Sequence, residues 1–181
     1  MLKSMDIADY FITKANDMGH PLDNLRLQKY LYYFEAMMLV EAGNSLIEES
    51  FEKWQYGPVL PSVYYEYKQF GNADILKPME HFIIEDWDNL EFKETTFDIL
   101  KFENEITSRE KELIEQLIQT LNSYRTFELV NMTHEHDEWR NSEKDILSGT
   151  RHLVYDQEKI KEYFEQNPKA QIWKNRHLIN S

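Results

Sequence analysis

Asn24-Leu25-Arg26-Leu27-Gln28-Lys29-Tyr30-Leu31-Tyr32-Tyr33-Phe34, continuing through Met37, Met38 and Val40 to Gly43, is the stretch on which the reading of this chain turns. Its spacing predicts a helix that opens near Asp23 or Asn24, whose short polar side chains can accept the first free backbone N–H groups, and that stops at Gly43. Asn24, Gln28 and Glu35 fall on one narrow stripe. A helix that is apolar over most of the remaining circumference belongs in the middle of a domain. Lys29 shares a face with Tyr33, Ala36 and Val40, so it must either run its charge outward along its stem or meet an internal partner.

On the N-terminal side Ala8, Phe11, Ile12, Ala15 and Met18 recur at helical spacing, and Gly19 to Pro21 supply the stop. On the C-terminal side Leu46 to Tyr56 is short and mixed, with Phe51, Trp54 and Tyr56 predicting one or two short strands. Gly57-Pro58-Val59-Leu60-Pro61 is expected to halt regular structure, with Pro61 as the first helical residue of a segment that ends at Gly71. Residues 72–107 carry the weakest pattern and read as a variable acidic insertion. In it His81 to Ile84 and Thr95 to Leu100 are expected to be strands of a short hairpin around Glu85, Asp86 and Asp88.

Thr107 with Glu110 forms a capping-box signature ahead of Leu113, Ile114, Leu117, Ile118 and Leu121. A further helix is expected from Thr126 toward Thr133, and a last one from Asp156 to Gln166 on Ile160, Tyr163 and Phe164, with Pro168 just beyond it. The expected fold class is mainly α (α+β): a compact helical domain of five to six helices with a small antiparallel β element. The expected organisation is a single domain over residues 1–168 and a C-terminal tail over 169–181 that retains Ile172, Trp173, Leu178 and Ile179.

Composition bounds the function. The chain has 181 residues, 41% of them hydrophobic and 14% aromatic, enough for a packed core. Its 33 acidic against 20 basic side chains give a formal net charge of -13, which argues against recognition of nucleic acid or anionic lipid through bulk charge and suits a basic protein partner. With no cysteine, disulfides, thiolate metal sites and a cysteine nucleophile are excluded. Lys3, Asp6, Asp9 and Lys14 interrupt the N-terminal apolar residues, and no run approaches the roughly 20 apolar residues of a membrane span, so the expected location is the cytoplasm.

The densest polar cluster is Thr133-His134-Glu135-His136-Asp137-Glu138-Trp139. His134, His136 and Asp137 invite a metal reading, but two histidines two residues apart on a helix point about 200° from each other. The favoured alternative has His134 capping or bridging two segments. There is no Gly-x-Ser-x-Gly elbow and no glycine-rich phosphate loop, so nothing selects an enzyme: no catalytic, cofactor-binding or metal residues are expected, and no cofactor. Tyr30, Tyr32, Tyr33 and Phe34 with Trp54 and Tyr56 have the composition of a base-stacking platform, yet only Arg26 and Lys29 accompany them. Core packing is the better reading.

Three blocks together point to a family. Leu27-Gln28-Lys29-Tyr30-Leu31-Tyr32-Tyr33, then Trp54-Gln55-Tyr56-Gly57-Pro58-Val59-Leu60-Pro61 with Tyr64, and finally Leu129 with Thr133-His134 and Trp139, resemble the Panacea domain of the SocA-like and GepA-like phage-associated and antitoxin proteins. Glu138 stands where that family commonly has proline. The resemblance implies a mostly helical domain that acts by protein binding as the antitoxin of a toxin–antitoxin system. Its partner would be a toxin encoded by a neighbouring gene and, in SocA-like members, a bacterial protease to which the toxin is delivered. Neither a membrane nor direct nucleic-acid binding is expected. The competing reading is a phage-encoded acidic protein that inhibits or redirects a host factor.

The motif positions Leu27, Gln28, Lys29, Tyr32, Trp54, Tyr56, Gly57, Pro58, Val59, Tyr64, Thr133, His134 and Trp139 have the character of scaffold: apolar core, a fixed turn and a polar network. The partner surface is therefore expected in the less patterned segments, on Glu80, Glu85, Asp86, Asp88, Glu91 and Glu94 and on the C-terminal tail.

Overall fold

The stretch around Tyr30 forms the 18-residue helix α2 (Asn24–Glu41), capped by Asp23, whose carboxylate accepts the Arg26 N–H at 2.8 Å. Asn24 and every residue from Leu27 to Leu39 are buried in the computed structural model, which describes residues 1–86, 89 and 91–175. A helix buried on all sides needs neighbours on all sides. They are α1 (Ser4–Asp17), α3 (Pro61–Tyr67), α5 (Ser108–Asn122), α6 (Thr126–His134) and α9 (Gln157–Gln166), together with one strand. Aromatic rings join the layers edge to face: Phe11 of α1 meets Phe34 at 5.5 Å, and Phe164 of α9 meets Tyr33 at 6.1 Å. Three short helices complete the described set: α4 (Ile99–Glu103), α7 (Asp137–Arg140) and α8 (Glu143–Leu147). The architecture is mainly α, with six helices of seven residues or more and two small antiparallel hairpins.

The first hairpin pairs β1 (Glu52–Trp54) with β2 (Gly57–Val59) in the register Glu52↔Val59, Lys53↔Pro58 and Trp54↔Gly57. This corrects the expectation that Gly57-Pro58-Val59 halts regular structure. Proline is tolerated at a sheet edge, where its missing N–H interrupts no ladder. The far side of β2 faces α2, whose side chains take the place of a third strand, as described below. On the outer side of β1 the segment Leu153 to Tyr155 adds backbone bonds, Lys53 N to Leu153 O at 2.6 Å and Tyr155 N to Phe51 O at 2.8 Å.

The second hairpin pairs β3 (His81–Asp86) with β4 (Glu91–Thr95). Here the second strand lies earlier than the Thr95 to Leu100 run expected. Asp98 instead caps α4 by accepting the Lys101 N–H at 3.0 Å, and helical turning carries Phe102 into the core against Tyr10 at 5.0 Å. The capping box of Thr107 and Glu110 is formed as expected. In the C-terminal tail Ile172 and Trp173 are buried, with Trp173 5.2 Å from Phe164 and its indole N–H on Glu41 at 3.2 Å. Leu178 and Ile179 lie outside the described residues. Among the described residues no helix is long and apolar enough to cross a membrane.

Candidate functional site

The motif blocks converge on one junction, where α2, the β1–β2 hairpin and the α6–α7 corner meet. Gln28 and Lys29 occupy consecutive positions of α2 and are both fully buried. Gln28 Oε1 accepts the Leu60 N–H at 2.8 Å, its amide donates to Asn24 Oδ1 at 3.2 Å, and Asn24 in turn donates to Tyr64 O at 3.1 Å. Lys29 Nζ donates to Pro58 O at 3.0 Å. Lys29 thus takes the internal partner rather than the outward path. Its partner is a neutral carbonyl, and burial lowers its pKa to about 7.

Gly57 turns the hairpin with φ +91°, and a side chain there would overlap Thr133 Oγ1 and stand 3.1 Å from Lys29 Nζ. Thr133 is fully buried and donates to Val130 O at 2.7 Å. His134 stacks on Trp139 with ring centroids 3.7 Å apart and planes 13° from parallel, and the indole N–H of Trp139 donates to Trp54 O at 2.9 Å. His134 thus meets Trp139 through its ring and a backbone group of Gln55 in the β1–β2 loop. Burial, with a smaller repulsion from Lys29, lowers its pKa, and its Nε2 is buried with no hydrogen-bond partner. Leu27, Tyr32 and Val59 are buried, Trp54 and Tyr64 are half-buried with rings 4.8 Å apart, and Tyr56 is half exposed.

Sequence reasoning weighed His136 only as a metal candidate and missed its burial. It is buried, accepts or donates a hydrogen bond to the Tyr32 hydroxyl at 2.9 Å, and packs on Tyr163 at 4.3 Å and Phe164 at 4.8 Å. Burial drives its pKa down to about 3, with Lys29 adding repulsion. No local pattern marks it, because its surroundings come from α2 and α9. His134 and His136 share no ligand geometry, and among the described residues no group of three or more histidines and carboxylates is placed to hold a metal ion. The other missed groups are two buried carboxyls. Asp9 accepts the Tyr67 hydroxyl at 2.5 Å, and its pKa rises to about 6 by burial. Glu35 accepts from Ser45 at 3.1 Å and Gln157 at 3.2 Å, and burial lifts it to about 7.

These shifts oppose one another. His136 is depressed, so its contribution is complete above pH 6.5 and is lost as pH falls toward 3. Asp9 and Glu35 are raised, so their contributions are complete below their ordinary values near 4 and are lost as pH rises to about 6 and 7. Two raised carboxyls outweigh one depressed imidazole over this interval, so stability of the natural chain should rise as pH falls from 7 to 4.5. In the Asp9→Asn/Glu35→Gln variant the imidazole acts unopposed and stability falls steadily over that interval. Urea midpoints across the range check this, and parallel profiles for the two proteins would refute it.

Of the residues expected to form a partner surface, Glu80 and Glu94 are exposed, Glu80 pairs with Lys77, and a hydrogen bond shared with Glu80, with its repulsion second, raises the Glu94 pKa. Asp88 lies outside the described residues, as do the side chains of Glu85, Asp86 and Glu91.

The family model described as antitoxin SocA-like, Panacea domain, matches residues 27–140, which begins inside α2 and ends one residue after Trp139. Antitoxin SocA of Caulobacter vibrioides (strain NA1000 / CB15N) is 41% identical to this chain over 58 residues, 32% of this chain and 31% of that protein. The aligned stretch thus spans less than a third of the relative. No solved structure matches the chain significantly.

Proposed function

The chain belongs to the antitoxin SocA-like, Panacea domain family, and from that premise we propose that it is an antitoxin that neutralises a cognate toxin by direct protein binding. The family match carries the reading. The junction supports it: Gln28, Lys29 and Trp139 aim their polar atoms at backbone groups of neighbouring elements and so build a rigid scaffold, which is what a binding protein requires.

Co-expression with the adjacent reading frame is the test. The expected result is that the neighbour alone arrests growth and that this chain restores it. A harmless neighbour, or toxicity that this chain leaves unchanged, would refute the proposal. The half-life of the toxin in the same cells separates two routes: occlusion leaves it unchanged, whereas delivery to a protease shortens it.

A further inference from the structure

Tyr56 is the motif residue that the scaffold does not absorb. Its ring is 50% exposed in the loop between β1 and β2 and meets Phe127, itself 60% exposed, edge to face at 6.1 Å. On the other side of the same loop Trp54, Tyr64 and Tyr65 form a second aromatic group, with Trp54 6.1 Å from Tyr65 and Tyr64 5.5 Å from it; Tyr65 is 56% exposed. Among the described residues the strongly exposed aromatic side chains are these three and Phe82. Isolated exposed apolar residues are ordinary, but three aromatic ones gathered at one place mark a binding surface.

The surface is concave. A cavity of about 690 Å³ beside Phe127 adjoins one of about 370 Å³ beside Tyr56 and Tyr64, the two sharing Leu25 and Gly71 in their walls. A third, also of about 370 Å³, shares Trp54 and Gln55 with the second and continues past Tyr65. The groove so formed wraps the loop whose base Gln28, Lys29 and Trp139 hold in place. Its walls are set before a ligand arrives, which lowers the ordering cost of binding.

Charge selects the occupant. Four basic and three acidic residues line the groove, whereas the whole chain carries 20 basic against 33 acidic. Lys68 stands over the Tyr65 ring at 5.2 Å. Arg125 pairs with Glu128 at 2.9 Å, Lys53 with Glu138 at 3.2 Å and Glu52 with His152 at 2.9 Å, so this is a near-neutral aromatic surface on a strongly acidic protein.

We propose that this groove is where the partner docks, and that it takes an apolar segment of the partner, anchored by aromatic or aliphatic side chains and carrying no excess of positive charge. The inference rests on the antitoxin reading and deepens it by moving the interface from the acidic hairpin to the aromatic groove.

Titration of the purified product of the adjacent gene against the natural chain, Tyr56→Ala/Phe127→Ala, Tyr65→Ala and Glu80→Lys/Glu94→Lys tests it. All these side chains are exposed, so thermal unfolding should stay near that of the natural chain. The expected result is a loss of about 30-fold or more for the double aromatic variant and about 10-fold for Tyr65→Ala. The charge-reversed protein should keep its affinity within about 3-fold, and affinity should change little with salt. Equal binding by the aromatic variants, or loss of binding by the charge-reversed protein alone, overturns the groove while leaving the antitoxin reading intact. A dimer of this chain that dissociates on Tyr56→Ala/Phe127→Ala would make a second copy the occupant and overturn the proposal. Absence of binding by the natural chain refutes the antitoxin reading and the groove together.

Discussion

Gly57→Ala is expected to lower stability by about 2–4 kcal/mol and the melting temperature by about 5–15 °C. Two costs add. At φ +91° a side-chain-bearing residue is strained, and the new methyl group would overlap Thr133 Oγ1 while pressing on Lys29 Nζ at 3.1 Å. Neither neighbour yields cheaply, because Thr133 is fixed by its bond to Val130 O and Lys29 by its bond to Pro58 O. Gly19, at φ +74° with nothing near its Cβ position, isolates the first cost, and Gly19→Ala should lose only about 1–2 kcal/mol. Urea and thermal unfolding of the two variants side by side measure the difference. If Gly57→Ala is no worse than Gly19→Ala, the close approach at the junction is wrong.

Gln28→Leu should cost about 2–4 kcal/mol even though it places an apolar residue of similar size in a buried position. It removes the acceptor of the Leu60 N–H and the donor to Asn24 Oδ1, and each buried polar group left without a partner costs about 1–3 kcal/mol, partly offset by the apolar gain. Gln28→Glu separates bonding from packing. Its oxygen still accepts the Leu60 N–H, and when protonated it can donate to Asn24. Its deficit relative to the natural chain should therefore shrink as pH falls, because burial favours the neutral carboxyl. A Gln28→Leu protein as stable as the natural chain would mean that the edge of β2 has no need of α2.

These two residues explain why a protein-binding family carries so recognisable a signature. The signature describes how a hairpin is bolted to a helix. The bolts hold the Gln55–Tyr56 loop in place, so buried residues of the junction decide where Tyr56 stands. Variants of the junction and of the groove are thus expected to differ in kind: the first lose folding and function together, the second lose function alone.

Much of the helical framework was legible along the chain because its signals are local. Asp23 and Thr107 cap, Gly43 follows a helix end, and the apolar spacing of α1, α2, α5 and α9 is periodic within each segment. The β2 strand was not legible, because Gly57 and Pro58 are locally strand breakers. What overrides that preference is an amine and an amide from α2, 29 and 32 residues away in sequence. The burial of His136 was illegible for the same reason: a histidine among acidic residues carries no local sign that Tyr32, Tyr163 and Phe164 enclose it.

The sequence by itself determined that α2 is central, that the chain has the composition to fold without disulfides, and, through its three motif blocks, the family to which it belongs. Those conclusions depend on periodicity, composition and residue identity, which are properties of the chain taken in order. The tertiary structure alone decided which motif residues face inward and which outward. Gln28 and Tyr56 stand in equally prominent blocks, yet one is sealed beneath the hairpin and the other is half exposed at its tip. Burial is set by what packs against a residue from distant segments, and no local spacing encodes it. The net charge of -13 pointed to an acidic hairpin as the meeting place. The fold also sets exposed Tyr56, Tyr65 and Phe127 around one hairpin loop, which no charge total announces, because a total is summed over the chain whereas a surface is what folding brings together.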